Sequence, residues 1–279
     1  SAALRARLGK RGAAARQSTG CASHPAMLDW LEHLGRFTHF VLRGLVAALL
    51  APLRPRELLA QLYQVLLGIL PLGLVAGLAI GAVLWLQLHG IFRRFQAEQY
   101  LPQALALAVV LEFAPIAAGL LLAGRAGASL GAELGSMRLT EQIDALEVLG
   151  LSPMANLVGP RVLACMLTMP LLTVFIAYLA VGAGFLAEAA GGSMSARQYL
   201  NETLRVLTLQ DAVPAVLKTT VFGYLIGVTG CYFGMEAKGG TEGVGRAATR
   251  GVVVSLFLVL VADVVLVRVI QAVTAALAR

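Results

Sequence analysis

The sequence predicts an all-α integral membrane protein: an N-terminal amphipathic interfacial helix, five transmembrane helices, and a cytoplasmic helix between the second and third spans. Composition is the first reason. The 279 residues are 58% hydrophobic and 13% charged, whereas an ordinary soluble domain is about 45–50% apolar and about 25% charged. Five apolar segments are the second reason, because each is long enough to cross a bilayer core, which takes about 20 helical residues. This composition argues against a soluble enzyme and against a disordered chain.

The chain begins with a basic segment followed by an amphipathic one. Residues 1–26 are rich in Ala, Arg and Ser and lack the compact apolar run of a secretory signal, so we expect a basic flexible tail. Residues 27–60 carry leucines near helical spacing, interrupted by Trp30 and several arginines, and Pro52 and Pro55 end the run. We expect an interfacial amphipathic helix there, with arginines reaching the headgroups. A short first span with polar ends is the alternative.

Five longer apolar segments are the predicted spans, and they cover residues 62–88, 103–124, 162–187, 212–235 and 251–277. Four prolines lie in or at the edge of these spans, namely Pro71, Pro115, Pro170 and Pro214. Proline is tolerated in transmembrane helices because neighbouring helices satisfy the carbonyl groups that it leaves free. An odd number of spans places the two termini on opposite sides of the membrane.

The distribution of Lys and Arg predicts the orientation. If the N-terminus is cytoplasmic, the inner segments 1–61, 125–161 and 236–250 carry 15 of the 22 cations and the outer segments carry five. This excess favours a cytoplasmic N-terminus and a periplasmic C-terminus, although Arg93 and Arg94 would then lie outside. The net charge of +7 is thereby explained by membrane topology and needs no nucleic acid as a partner.

The segment 125–153, between the second and third predicted spans, is too polar to cross a bilayer. It is typical of a helix ended by Gly150 and Pro153. An apolar stripe is formed by Leu139, Ile143 and Leu146, and an acidic set on a different part of the surface is formed by Glu141, Asp144 and Glu147. Such a helix suits docking into a groove of a soluble partner. A solvated interfacial helix without a partner is the alternative.

Three ionisable residues lie inside predicted spans: Glu112, Lys218 and Asp263. A charge at that depth costs at least about 2.5–3.5 kcal/mol, so these residues should face a cavity or one another. A Glu112–Lys218 pair is one arrangement. The functional interpretation is a polar spot in a substrate path, and the structural one is an interhelical bond.

No sequence motif indicates catalysis by this chain. The glycine-rich segment 238–250 lacks the GxxxxGK[ST] pattern of a nucleotide-binding loop. The chain has no GxSxG motif, its four histidines lack zincin spacing, and its three cysteines form no CxxC pattern. We therefore expect a protein that is not an enzyme and that binds no metal and no cofactor of its own.

Several motifs, in order along the chain, resemble the MlaE (YrbE) family of ABC-transporter permeases over roughly residues 60–275. They are Glu112–Pro115, Ala123–Arg125, Glu133–Met137, Thr140–Leu146, Pro160–Ala164 and Gly239–Arg250. The resemblance implies that 61–279 is the permease domain of a protein in the bacterial inner membrane, which moves phospholipid between the two membranes. It also implies a homodimer with an apolar lipid cavity, a separate cytoplasmic ATPase that binds ATP and Mg, a periplasmic MCE-domain hexamer and a STAS-domain regulator.

The resemblance also assigns residues. An ATPase-coupling set consists of Arg125, Glu133, Gly135, Met137, Glu141, Gln142, Asp144 and Leu146. The lipid-cavity candidates are Glu112, Leu70, Leu74 and Leu78. A second cytoplasmic loop, expected to pack against the coupling helix, contains Gly243, Gly245 and Arg246. The chain departs from the family at Leu111, because the family often has Arg before this Glu, and this puts a cationic contribution to headgroup binding in question.

Two other function classes are alternatives to a permease subunit. A stand-alone secondary transporter or channel would show inverted repeats between its halves, and none is visible in five spans with a single motif-rich loop. A membrane enzyme acting on lipid would need a nucleophile or metal constellation, which the sequence does not contain.

Overall fold

The computed structural model describes residues 25–53, 55–191 and 194–277, and almost all of them are helical. The described residues divide into two separate units between Phe40 and Val41. The predicted basic tail falls almost entirely outside the described residues. Helix α1 runs over Pro25–Leu50, is followed by a 3-10 turn at Ala51–Leu53, and crosses the border between the two units.

The first correction concerns the end of the predicted interfacial helix. The prediction extended it to residue 60, but helix α2 (Pro55–Arg94) already begins at Pro55. Proline is favoured at the first position of a helix because its missing N–H is not needed there. Residues 55–60 therefore belong to the first span. The interfacial position of α1 stays a prediction.

Five helical stretches are long and apolar enough to cross a membrane: Pro55–Arg94, Glu98–Leu139, Met154–Gly191, Leu209–Met235 and Gly240–Thr274. Within the described residues there is no strand. The predicted all-α membrane fold with five spans is therefore confirmed. Each of the first four predicted spans lies inside one of these stretches, and the fifth lies inside the helix Gly240–Leu277.

The second span consists of several pieces. Helix α3 (Leu101–Ala108) passes into a π-helical segment, Val109–Phe113, and then into α4 (Ala114–Leu122). A second π-helical segment, Ala123–Gly127, leads into α5 (Ala128–Leu139). A short helix, α6 (Gln142–Val148), follows the span.

The predicted single helix over 125–153 is therefore wrong in its boundaries. Residues 125–139 continue the second span, and only α6 is separate. The break lies at Thr140 and Glu141, where Glu141 has the left-handed φ of 57°. Packing explains why a polar stretch continues the span: Gly131 and Gly135 of α5 are buried against the beginning of the last helix.

The remaining elements complete the bundle. A π-helical segment at Met154–Val158 leads into α7 (Gly159–Gly191), and α8 (Ala196–Val206) is capped by Ser195, whose hydroxyl accepts a hydrogen bond from the N–H of Gln198 at 3.3 Å. Helices α9 (Leu209–Met235) and α10 (Gly240–Leu277) follow. Because α10 begins at Gly240, the glycine-rich segment 238–250, which was expected to form the second cytoplasmic loop, is mostly the first turns of that helix.

Small residues bring the first and third spans together. Gly73, Gly77 and Gly81 recur every four residues on the buried side of α2. A Cβ added at Gly77 would lie 3.0 Å from the carbonyl oxygen of Ile176 in α7, so the two backbones are in near contact. Close approach through small residues is a common way to pack transmembrane helices. The end of the bundle where α6 joins spans two and three is called the coupling end below, and the opposite end the far end.

Candidate functional site

The three ionisable residues inside the spans meet in one cluster, the charged triad. Lys218 of α9 lies between Glu112 of the second span and Asp263 of α10. Its Nζ is 3.1 Å from Oε2 of Glu112 and 3.0 Å from Oδ1 of Asp263. The triad therefore links three spans. The Glu112–Lys218 pair considered from the sequence exists, and Asp263 joins it.

Access to the triad is uneven. The side chains of Lys218 and Asp263 are 2% and 9% exposed, whereas that of Glu112 is 42% exposed. Glu112 accepts a hydrogen bond from Lys218. The contact to Asp263 is an ion pair without hydrogen-bond geometry, since Asp263 Oδ1 has no hydrogen-bond partner among the described residues. Glu112 is thus the most accessible member of the triad.

A cavity of about 140 Å3 adjoins the triad. Glu112 and Lys218 line it together with the polar side chains of Gln210, Asp211, Gln271 and Thr274, and its apolar wall includes Leu111, Val267 and Ile270. The cavity therefore offers charged and apolar surfaces side by side, which suits an amphiphilic ligand.

The first π-helical segment explains how Glu112 is placed. Pro115 has no N–H to donate to the carbonyl of Leu111, so regular α-helical bonding fails one turn before it. The N–H of Ala114 bonds instead to the carbonyl of Val109, five residues back. Such π-bulges occur often at functional sites. Here the bulge carries the carboxylate of the triad.

A second polar network lies at the coupling end. Glu133 of α5 pairs with Arg161 of α7 at 3.4 Å and accepts a hydrogen bond from Nε2 of Gln64 at 3.3 Å. Arg161 also donates to the carbonyl of Leu157 at 3.0 Å. The network ties the first three spans together. Arg161 lies within one of the motifs listed above, but no role was predicted for it. The signal in the sequence is an arginine at the very start of an apolar run.

The other predicted coupling residues are spread along this end. In α6 the side chain of Ile143 is buried, Leu146 is half-buried, and Leu139 just before the break is exposed. The acidic residues Glu141, Asp144 and Glu147 are all exposed, as is Gln142, and Asp144 pairs with Arg138. Gly135 is buried, Met137 is half-buried and Arg125 is exposed.

We expected the second cytoplasmic loop to pack against the coupling segment through Gly243, Gly245 and Arg246. In the structure, neighbouring residues of α10 make this contact instead. Val244 lies 3.3 Å from a Cβ added at Gly135, and the Cα of Ala248 lies 2.9 Å from one added at Gly131. A Cβ at Gly245 would meet nothing within 4 Å, and Arg246 pairs with Glu242 at 3.9 Å. The helical period explains this, because α10 turns only one of its faces toward α5.

The apolar cavity candidates lie apart from the triad cavity. Leu70 is half-buried, while Leu74 and Leu78 are exposed on the outer side of α2. None of the three lines the cavity beside Glu112. In this single chain they form part of an exposed apolar face.

A third buried polar group lies at the far end and was missed because the predicted third span ended at residue 187. The carboxylate of Glu188 accepts hydrogen bonds from Nε1 of Trp85 at 2.8 Å and from the backbone N–H of Met194 at 3.1 Å. Tyr199 of α8 is buried nearby. Burial and, second, the negative charge of Glu188 raise the pKa of Tyr199 to about 12.

Five apolar spanning helices with a charge cluster inside the bundle place this chain in the class of multi-pass helical membrane proteins. Residues 58–269 match the family described as Permease MlaE. The chain belongs to this family of ABC-transporter permeases, which confirms the resemblance noted from the motifs. Its part in such a transporter is that of the permease and not of the ATPase.

Named relatives agree with this assignment. A probable ABC transporter permease protein of Rickettsia typhi is 35% identical over 236 residues, which cover 85% of this chain and 91% of the relative. A probable ABC transporter permease protein of Synechocystis sp. is 32% identical over 75% of this chain and 79% of its own length. The chloroplastic protein TRIGALACTOSYLDIACYLGLYCEROL 1 of Arabidopsis thaliana is 35% identical over 67% of this chain and 53% of its own length.

Proposed function

We propose that this chain is the membrane subunit of an ABC transporter that moves phospholipids between the inner and outer membranes of a bacterium. The observation that carries the proposal is the charged triad beside a cavity with apolar walls, inside the membrane spans. Charges at that depth are expensive and are kept where they face a cavity or a substrate path. A phospholipid has the matching chemistry, since it joins a charged headgroup to apolar chains.

The charges of the triad favour a headgroup that carries a cation. Two carboxylates, those of Glu112 and Asp263, face the one ammonium group of Lys218. The residue before Glu112 is the uncharged Leu111, so it adds no positive charge. Glu112 is the exposed member, so its free oxygen is available to an amine of the headgroup. A headgroup phosphate would reach Lys218 by displacing Glu112 from it. This gives the triad two positions, one with and one without bound lipid.

The acyl chains need an apolar surface larger than the cavity beside the triad. The outer faces of α2 and α10 carry exposed apolar side chains, among them Leu74, Leu78, Phe257 and Val264. Apolar faces of this kind favour a second copy of the chain about a twofold axis, and a lipid-filled space between two copies would use them. The name of the Arabidopsis relative contains that of a diacylglycerol lipid, which also supports lipid as the cargo.

The remaining parts of the transporter follow from the family and from the surface of α6. An ATPase that binds ATP and Mg docks on the exposed acidic residues Glu141, Asp144 and Glu147. The coupling end then lies on the cytoplasmic side of the inner membrane, which agrees with the distribution of arginines. A periplasmic MCE-domain hexamer receives the lipid at the far end, and a STAS-domain protein regulates the ATPase.

Copurification from native membranes, followed by lipid mass spectrometry, tests this function. We expect an ATPase subunit and phospholipid to accompany the chain. Glu112→Gln should lower the amount of bound phospholipid about tenfold, because a hydrogen bond to a charged group contributes about 1.5–3 kcal/mol, and it should leave the ATPase bound.

The matched control is Glu57→Gln, which removes an exposed carboxylate from the first turn of α2. It should change neither the lipid nor the ATPase. Purification of the wild-type chain without phospholipid and without an ATPase would contradict the proposed function. Equal lipid retention by Glu112→Gln and the control would contradict a role of the triad in binding lipid.

A further inference from the structure

Arg125 is the charged residue of the second π-helical segment and lies at the coupling end, about 20 Å along the helix from Glu112 at 1.5 Å per residue. Its side chain crosses to the first span and lies on Gly68 of α2. A Cβ added at Gly68 would be 2.6 Å from Nη2 and 2.7 Å from Nε of Arg125. The guanidinium group therefore occupies the space that any larger residue at position 68 would fill.

The positive charge of Arg125 is unpaired in the described part of the chain, where it has no hydrogen bond and no ion pair. Glu133 is the carboxylate that lines the same cavity. That carboxylate is already paired with Arg161 and bonded to Gln64. The guanidinium group of Arg125 is thus the charged group of this cavity that is available to an anion.

The rest of the Arg125 cavity suits a small oxyanion. Gln61 and Ser129 supply further hydrogen-bond donors, and Val65, Ile69 and Leu122 supply an apolar wall. The cavity volume is about 70 Å3, which is enough to admit a small polar group. Among the basic residues, Arg is best suited to phosphate, because its planar guanidinium group can bind the phosphate through two N–H groups at once.

The surroundings of the cavity are those of a membrane interface. The helices of both spans continue past this point, but the apolar part of the second span ends at residue 124, just before Arg125, and that of the first span begins at residue 62, just after Gln61. Next to the cavity, the outer side of α2 carries a stripe of exposed apolar residues at four-residue spacing, namely Leu59, Tyr63 and Leu67. A tyrosine that is 70% exposed at this depth is typical of the headgroup level of a bilayer.

We infer that the Arg125 cavity binds the phosphodiester group of an anionic glycerophospholipid in the leaflet at the coupling end. The acyl chains of that lipid lie along the stripe Leu59, Tyr63 and Leu67. The site is separate from the triad, and the inference does not rest on lipid transport. The bound lipid joins the first span to the second, directly beside the network of Glu133 and Arg161.

Native mass spectrometry of the full-length chain, released from nanodiscs of phosphatidylcholine with phosphatidylglycerol, tests this site. The wild-type chain should retain phosphatidylglycerol about tenfold better than Arg125→Gln, as expected for loss of a charge-assisted contact. Gly68→Ala should have a similar effect, because its methyl group displaces the guanidinium group while the charge stays in the protein. Arg125→Lys should fall between wild type and Arg125→Gln.

The control is Arg205→Gln, which removes an exposed cation at the far end and should leave retention unchanged. Equal loss of phosphatidylglycerol in Arg205→Gln would overturn the proposal, because net charge alone would then explain binding. Inorganic phosphate, added to the chain in nanodiscs of phosphatidylcholine alone, separates a free anion from a lipid. Thermal stabilisation by phosphate that depends on Arg125, with equal lipid retention in all variants, would overturn the assignment of a lipid.

Discussion

Two buried carboxylates in the spanning helices have opposite kinds of partner. Glu188 at the far end accepts two hydrogen bonds from neutral N–H groups, those of Trp85 and of the Met194 backbone. Asp263 in the triad has the ammonium group of Lys218 at 3.0 Å and a carboxylate oxygen without a hydrogen bond. Glu188 is held by directional hydrogen bonds from neutral groups, whereas Asp263 is held by its ion pair with Lys218.

This difference favours a structural role for Glu188 and supports the ligand site proposed at the triad. The bonds of Glu188 join the first span, the third span and the segment before α8. The triad instead contains an exposed carboxylate, a cavity and an incompletely bonded oxygen. Buried polar groups that are fully bonded hold a fold in place, whereas incompletely bonded ones need another explanation.

The largest expected effect is that of Lys218→Met. It leaves two carboxylates near each other without a cation, and breaking a buried pair by removing one partner costs about 3–5 kcal/mol. Unfolding of the purified chain in detergent measures this loss. The double variant Lys218→Met with Asp263→Asn should recover most of it, because the buried charge is then removed together with its partner. A loss below 1 kcal/mol in the single variant, a bound taken from exposed ion pairs, would contradict a desolvated pair.

A smaller effect is expected for Glu188→Gln. The amide offers one acceptor oxygen to two donors, so one N–H group loses its partner at a cost of about 1–3 kcal/mol. The same unfolding measurement applies, with lipid retention as a second measurement. Trp85→Phe is the matched variant: in the background of Trp85→Phe, the cost of Glu188→Gln should be smaller. Loss of lipid with unchanged stability would show that Glu188 belongs to a ligand site.

The sequence predicted much of the fold because a bilayer imposes a simple requirement on length and polarity. Five apolar runs of sufficient length became five spans, and Glu112, Lys218 and Asp263 were singled out because each is costly in lipid. The Glu112–Lys218 pair was one predicted arrangement, but the contact of Asp263 with the same lysine could not be predicted, since it depends on how the second, fourth and fifth spans pack together. That packing follows from the side chains of other residues.

The misplaced boundaries have a common physical cause. Residues 125–139 are too polar for lipid but not for the interior of the bundle, where Arg161 neutralises Glu133 and buried glycines allow α10 to approach. Glu188 was excluded from the third span for the same reason, and Trp85 bonds it there. Hydropathy measures the cost of placing a residue in lipid. It takes no account of the ion pairs and hydrogen bonds that a polar residue forms inside the folded protein.

The smallest expected effect is that of Tyr199→Phe, and it tests the burial of this tyrosine beside Glu188. The Tyr199 hydroxyl is buried without a hydrogen-bond partner among the described residues, so its removal should stabilise the chain by about 1 kcal/mol at neutral pH.

In the unfolded chain the pKa of this tyrosine is near 10, and in the folded chain burial and Glu188 raise the pKa to about 12. Between these values the folded state holds the proton that the unfolded state has lost, so stability falls as pH rises from about 10 to about 12. Tyr199→Phe should remove this part of the alkaline decline, whereas Tyr63→Phe, at an exposed tyrosine, should leave it in place. Unfolding followed by circular dichroism from pH 7 to above pH 12 measures both variants, and an alkaline decline of equal steepness in the two would contradict the raised pKa of Tyr199.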